Sequence, residues 1–295
     1  MTKGGFRSVF VTAKDGLKLH LREYGERPTP GLPIVCLPGL TRSSVDFHPL
    51  AYALSHDPQR PRRVLALDYR GRGRSDYDPN PANYSIPVEL DDVLTVLTAC
   101  EAEPAIIVGT SRGGMIAMAM GVARPTAIAA VVLNDIGPVI DVAGLVRIKD
   151  YVGKLPQPKD FAEGAAVMRD LFTSQFPKFT ERDWIASAYR TWREENGKLV
   201  LTYDPALANT LAASDVNAPM PDLWPQFDSL AHVPMLIIRG AVSDLLSPQT
   251  VAEMCARRQQ CDVLEVPDQG HAPLLLEPET IAHIAAFIDK CDGPI

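Results

Sequence analysis

The sequence predicts an α/β fold: a mostly parallel central sheet flanked by helices and interrupted by one helical insertion. Three observations predict it. Short apolar runs without polar alternation occur at Pro33–Leu37 and Arg63–Leu67, and the strand signature recurs at Ala105–Val108, Ile128–Leu133, Met235–Ile238 and Asp262–Val266. Runs of this kind suit strands buried on both faces of a parallel sheet. Stretches of helical period alternate with them, the pattern of an α/β sheet. The rhythm then fails between about Val139 and Asp228, where no buried-strand run occurs.

Taken in order, Val9–Lys14 and Leu17–Tyr24 flank Asp15-Gly16, a dipeptide suited to a tight hairpin turn. Leu90, Val93, Leu94 and Leu97 fall at helical spacing between Ser85 and Cys100, with Asp91 and Asp92 early, where the helix dipole favours acids. A small-residue helix follows the Ala105–Val108 strand from about Arg112 to Arg124, and Pro125 closes it. Two further helices are expected over Pro248–Gln260 and Glu277–Lys290. The interrupting segment reads as short helices between prolines, one of them starting at a capping box, Thr180-x-x-Asp183. All three tryptophans (184, 192 and 224) lie there, either filling a helical subdomain core or lining a pocket. The expected organisation is therefore a core of residues 1–138 and 229–295 and a helical lid of residues 139–228. Without the lid, the core has the size of one ordinary α/β domain.

Composition narrows the function classes. The 295 residues are 46% hydrophobic and 22% charged, ordinary globular usage. A net charge of −7 argues against a duplex-binding surface, which needs a basic stripe. Met1–Phe10 has no apolar stretch of signal-peptide length, and the longest membrane-span candidate, Gly113–Ala123, stops at Arg124. Five scattered cysteines (36, 100, 255, 261 and 291) contain no Cys-x-x-Cys pair and read as reduced thiols. A cytoplasmic protein, monomer or homodimer, with a small-molecule substrate and neither nucleic acid nor membrane as partner, is the expectation. No Gly-x-Gly-x-x-Gly follows a strand and no His-Glu-x-x-His occurs, so no nucleotide, metal or other cofactor is implied.

The chemistry concentrates in three places. Gly109-Thr-Ser111-Arg-Gly113 is a Gly-x-Ser-x-Gly pentapeptide placed between a strand and a helix, the setting of a nucleophile elbow. Glycines two residues either side of the serine leave room for the neighbouring strand and helix. A serine hydroxyl needs a base, and the base needs an orienting carboxylate. Of six histidines, His271 in Gln269-Gly-His-Ala-Pro273 follows the last strand, where such sheets place their sites. His48, after the turn beyond the first buried strand, is a lesser candidate to face the site. For the carboxylate, Asp244 follows the Met235–Ile238 strand and is preferred to Asp135, which is expected to tie down the junction where the lid begins.

The order Ser111, Asp244, His271, the elbow and the helical insertion together resemble the α/β-hydrolase superfamily over nearly the whole chain. Asp68-Tyr-Arg-Gly-Arg-Gly-Arg-Ser75-Asp76 resembles that family's Asp-x-Arg-Gly-x-Gly-x-Ser turn, for which a structural role is expected. Leu37-Pro38-Gly39-Leu40 resembles its His-Gly oxyanion turn with Pro38 in place of the histidine. The resemblance implies that the backbone N–H groups of Leu40 and Arg112 form the oxyanion hole. A serine nucleophile excludes the dehalogenases and most epoxide hydrolases of the fold, which attack with aspartate. The favoured activity is hydrolysis of a small carboxylic ester or lactone through an acyl-enzyme. C–C bond hydrolysis of a diketone-like substrate is the alternative, and a small-molecule receptor is the reading from another class. Arg42, just past the oxyanion turn, suits a substrate carboxylate or, equally, a surface cap on the next helix.

Overall fold

The computed structural model describes residues 4–27, 29–212 and 221–292. The chain opens with β1 (Phe6–Thr12), β2 (Lys18–Tyr24), β3 (Ile34–Leu37), α1 (His48–Ser55), β4 (Val64–Leu67) and α2 (Ile86–Ala99). It continues with β5 (Ala105–Thr110), α3 (Arg112–Ala123) and β6 (Ile128–Asn134). Between β6 and the next sheet strand lie α4 (Val142–Tyr151), α5 (Phe161–Phe172), α6 (Glu181–Thr191), β7 (Trp192–Glu195), β8 (Lys198–Leu201), α7 (Ala208–Ala212) and α8 (Trp224–Asp228). The last elements are β9 (Met235–Gly240), α9 (Pro248–Ala256), β10 (Cys261–Val266) and α10 (Pro278–Cys291).

Eight strands form one sheet in the order β1-β2-β4-β3-β5-β6-β9-β10. From β4 to β10 every pair is parallel, whereas β1 and β2 add an antiparallel edge. The apolar runs of β3, β4, β5 and β9 are buried throughout because helices cover both faces. On one face Val93, Val96 and Leu97 of α2, Ile116 and Met120 of α3 and Val251 and Met254 of α9 join the core. On the other, Leu50 and Leu54 of α1 meet Ile284, Phe287 and Ile288 of α10. A buried Leu or Ile contributes roughly 1.5–3 kcal/mol, so the central strands anchor the loops that leave them.

The segment between β6 and β9 departs in one respect from the expectation of helices alone. Trp192–Glu195 and Lys198–Leu201 form an antiparallel hairpin, turned by Asn196-Gly197, both at positive φ. Asn-Gly is a strong hairpin dipeptide, but the flanking four-residue strands are too short to read as a period. The Thr180–Asp183 capping box does open α6. Trp184 and Trp192 are buried with Met168, Phe172, Phe176 and Leu199, giving the segment a small core of its own. Trp224 packs on the main core, with the Arg257 guanidinium 3.8 Å from its ring centre. The tryptophans are thus packing residues, and none of them lines the cavity over Ser111. Residues 213–220 of the expected lid lie outside the described residues.

Cys255 and Cys261 bring their sulfurs to 2.6 Å as free thiols, a proximity the scattered cysteine spacing does not suggest. Among the described residues no helix is long and apolar enough to cross a membrane. Because β3, β5, β6, β9 and β10 are parallel, the loops after them open at one edge of the sheet. That edge carries Gly39–Arg42, Ser111, Asp135, Asp244 and His271, as expected for sites of open α/β sheets.

Candidate active site

Ser111 sits between β5 and α3 at φ 50°, ψ −113°, a conformation that L-residues rarely adopt. The neighbouring glycines are required by space. A Cβ on Gly109 would stand 2.7 Å from the Gly113 backbone, and one on Gly113 would stand 2.1 Å from the Leu37 carbonyl oxygen. The turn therefore holds the serine hydroxyl proud of the sheet at the N-terminus of α3, where the helix dipole favours developing negative charge.

His271 Nε2 lies 2.8 Å from Ser111 Oγ, and His271 Nδ1 lies 2.8 Å from Asp135 Oδ2. A carboxylate can only accept, so Nδ1 carries the proton, leaving Nε2 to accept from the serine hydroxyl. Asp135 is fully buried, at φ 54°, and its charge is compensated by donors. Oδ1 accepts the Gly240 N–H (2.7 Å), while Oδ2 also accepts the Ser243 hydroxyl (2.5 Å). Asn134, next to it, donates from Nδ2 to Thr110 Oγ1 and to the Pro273 carbonyl, pinning the histidine loop to the sheet.

The carboxylate facing the histidine is thus Asp135, not the Asp244 preferred from the sequence. Asp244 is engaged by Arg147 of α4, which donates Nε–H to Oδ2 (2.6 Å) and Nη2–H to Oδ1 (2.8 Å). Burial opposes the charge on Asp244, but those bonds and the guanidinium charge hold its carboxyl below the usual range. The two aspartates are near neighbours because β6 and β9 pair, with Asn134 opposite Ile238. Asp135 follows its strand immediately and stays within the sheet edge. Asp244 stands beyond Gly240 on a longer loop that reaches the inserted segment. Gln175 of that segment donates to Asp244 Oδ2 (3.3 Å) and accepts the His271 backbone N–H (2.8 Å).

On the other side of the serine, the backbone N–H groups of Leu40 and Arg112 donate to no other group among the described residues. Their frame is a buried charge network. Glu89 of α2, fully buried, accepts Arg72 Nη1–H (2.7 Å) and Arg112 Nε–H (2.5 Å). Arg72 in turn donates Nε–H to the Leu40 carbonyl (2.8 Å), and Arg112 donates to the Tyr84 carbonyl (3.0 Å). One carboxylate therefore ties together the two residues whose N–H groups are expected to bind an oxyanion. Arg70 of the same turn is buried in ion pairs with Asp78 and Asp92, so this Arg-rich stretch has the structural role expected of it.

Ser111 and His271 open onto a small cavity of about 80 Å³. Its floor is the Pro38–Arg42 turn, and Ile148, Tyr151, Phe172 and Phe176 of the inserted segment roof it. Arg42 is a cavity residue. Its Cγ and the Ser111 Cβ lie 3.6 and 3.8 Å from the point where a side chain on Gly39 would begin. Its carboxylate partner Asp46 stands 3.7 Å away and also accepts the Ser43 N–H in a capping box. His48 does not face the site. It opens α1, hydrogen-bonds Tyr24 Oη (3.0 Å) and packs among Phe6, Tyr24 and Tyr52. Burial and the Arg22 charge hold its imidazole below the ordinary value.

Comparison with known proteins identifies the family. Residues 34–284 match the model of the Alpha/beta hydrolase family, and the chain belongs to that family. A 3-hydroxybutyrate-oligomer hydrolase of Cupriavidus necator is 34% identical over 95% of this chain and 97% of its own. A 2-(acetamidomethylene)succinate hydrolase of Mesorhizobium japonicum is 25% identical over 92% of both chains. Among solved structures, an alpha/beta hydrolase from Novosphingobium aromaticivorans superposes with a TM-score of 0.89 at 36% identity, covering 97% of this chain and 99% of that one. The named relatives are hydrolases, which marks this chain as a hydrolase.

Proposed function

We propose that the protein is a serine hydrolase that cleaves a carboxylic ester or lactone of a small carboxylate-bearing molecule through an acyl-enzyme. The observation that carries the reading is the unbroken line from Ser111 Oγ through His271 to Asp135, with 2.8 Å at each step. In the first half-reaction His271 Nε2 takes the Ser111 proton as Oγ attacks the ester carbonyl carbon. The carbonyl oxygen becomes an oxyanion held by the Leu40 and Arg112 amides. Asp135 keeps the imidazole in its productive tautomer and stabilises the imidazolium. His271 then protonates the departing alkoxide, the C–O bond breaks, and Ser111 keeps the acyl group. Water deprotonated by the same Nε2 attacks the acyl carbon and releases the acid.

The inserted segment acts as a lid in this reading, since four of its apolar side chains close the cavity and exclude water. Arg42 anchors the substrate carboxylate within reach of the acyl carbon, a bidentate task suited to a guanidinium. The names of the two relatives agree with such a substrate: a 3-hydroxybutyrate oligomer carries ester links and a terminal carboxylate, and a succinate carries two carboxylates. Ester hydrolysis uses only groups that line the site, whereas C–C hydrolysis also requires a proton delivered to carbon.

The test is hydrolysis of 3-hydroxybutyrate dimer and trimer beside neutral p-nitrophenyl acetate. Ser111→Ala should lose on the order of a millionfold in kcat and escape labelling by a fluorophosphonate. Full turnover by that variant would end the reading. Arg42→Ala should raise KM for the anionic esters about tenfold or more while leaving the neutral ester nearly unchanged. Equal effects on both would remove Arg42 from recognition.

A further inference from the structure

The residue after Ser174 ties the inserted segment to the core. Gln175 is 5% exposed and makes three hydrogen bonds to the catalytic edge of the core. Its carbonyl accepts the Gly270 N–H (2.7 Å), and its Oε1 accepts the His271 N–H (2.8 Å). Its Nε2 donates to Asp244 Oδ2 (3.3 Å), whose carboxylate is also gripped by Arg147 of α4. Two consecutive amides of the histidine loop therefore terminate on one side chain and backbone from the lid. The fit is close: a Cβ on Gly270 would stand 2.0 Å from Gln175 Oε1.

The same turn touches substrate space. The N–H groups of Gln175 and Phe176 both donate to the Phe172 carbonyl (2.9 Å each), and Phe172 and Phe176 line the cavity over Ser111. A molecule packed against those two rings bears on the turn that holds His271.

We propose that Gln175 is a positioning residue that couples seating of the lid to the alignment of His271, so that the base is fully aligned only when the lid is closed. The inference rests on the serine-hydrolase reading and adds a control that this reading does not require. The physical basis is that the imidazole is anchored by Asp135 at Nδ1 and Ser111 at Nε2 and the loop by Asn134 at the Pro273 carbonyl, while the backbone N–H of His271 itself ends on Gln175. Proton transfer is sensitive to sub-ångström placement, and misplacement by about 1 Å costs on the order of a hundredfold. The lid contact thus acts on kcat. The oxyanion side, framed by Glu89 and Arg72, is left unchanged.

The experiment compares Gln175→Met, which removes both polar ends at similar volume, with Gln175→Glu, which keeps an acceptor for the His271 N–H. Turnover of p-nitrophenyl acetate, the rate of Ser111 labelling by diethyl p-nitrophenyl phosphate and Tm are measured for each. Gln175→Met should lower kcat and the labelling rate about 10–100-fold with KM within about twofold of wild type. Gln175→Glu keeps the acceptor for the His271 N–H but turns a carboxylate oxygen toward Asp244 in place of the donor. It should therefore recover part of that loss and shift the acid limb of the kcat/KM profile upward, since it sets a negative charge near the imidazole. A Gln175→Met enzyme with wild-type kcat and labelling rate would overturn the proposal. So would a Gln175→Glu enzyme as slow as Gln175→Met, or a loss confined to KM. If Gln175→Met does not fold, the Gln175→Glu labelling rate and acid limb decide alone, and wild-type values for both overturn it. Failure of the wild-type enzyme to be labelled at all counts instead against the serine-hydrolase reading.

Discussion

On the oxyanion side of Ser111, Glu89 receives Arg72 and Arg112, and Arg72 holds the Leu40 carbonyl. All four belong to the core: Glu89 and Arg112 to α2 and α3, Leu40 and Arg72 to the loops after β3 and β4. On the histidine side, Asp135, Asn134 and Ser243 of the core share the work with Gln175 and Arg147 of the inserted segment. The insertion does meet the Arg72 turn, where Tyr203 bridges to Arg72 and the Asp204 N–H donates to the Gly71 carbonyl, but it reaches neither oxyanion donor. In the proposed mechanism, charge stabilisation is therefore framed by the core alone, while alignment of His271 depends partly on the inserted segment. The serine machinery is divided into a fixed half and a coupled half.

The largest effect should separate the two carboxylates of the coupled half. Asp135→Asn can offer an N–H to Nδ1 and favour the wrong tautomer, so kcat should fall about 10³–10⁴-fold. Asp244→Asn weakens a tie to the inserted segment and leaves the imidazole partner in place, so kcat should fall less than about tenfold. Steady-state kinetics of the two variants on one ester decide the assignment, and the reverse order would return the acid role to Asp244. A comparable fall for both would mean that the carboxylates act as a unit.

The fixed half is probed by Glu89→Gln. The variant leaves Arg72 and Arg112 with no carboxylate between them, and breaking a buried ion pair costs about 3–5 kcal/mol. Loss of register between the two amides should lower kcat by up to about 10²-fold, the lower end of removing one oxyanion donor. Tm should fall on the order of 10 °C at about 2–4 °C per kcal/mol. The comparison predicts that this kcat loss is additive, in free energy, with that of Gln175→Met, since the two networks share no partner. Strong coupling in the double variant would show that the halves are not separate.

Much of this architecture is legible in the amino-acid sequence. The buried runs of β3, β5 and β9, the elbow around Ser111, the closing of α3 at Pro125 and the position of His271 follow from local rules: strand burial, glycine at a crowded turn, proline geometry. The orienting carboxylate does not follow from them. Asp135 and Asp244 both succeed strands, and what distinguishes them is lateral: β6 and β9 are neighbours, and an arginine of the inserted segment, far along the chain, occupies Asp244. The role of Glu89 is hidden in the same way, because in sequence it is one more acid in the first turn of an amphipathic helix. His48 misleads for the opposite reason. Its position after a site-edge turn is right, but the α1 rotation aims it at Tyr24 and not at Ser111. Local order reads directly from sequence, whereas pairing between distant polar side chains depends on which strands the topology sets side by side.

The smallest expected effect concerns the tie between the two parts of the coupled half. Burial disfavours the Asp244 charge, but Arg147 outweighs it and holds the carboxyl below its usual value. A depressed folded value means that the unfolded chain binds a proton more readily. The pair's contribution is therefore fully present above the unfolded carboxyl value of about 3.9 and is lost as pH falls through the lower folded value. With Asp244 partly exposed, solvent screening keeps that contribution modest. Asp244→Asn should accordingly melt slightly below wild type at neutral pH, and the two Tm curves should converge as pH drops below about 4. A gap that stays constant down to about pH 3 would mean that Arg147 holds the inserted segment by packing rather than by charge. The acid-sensitive tie would then have to be sought elsewhere on the histidine side.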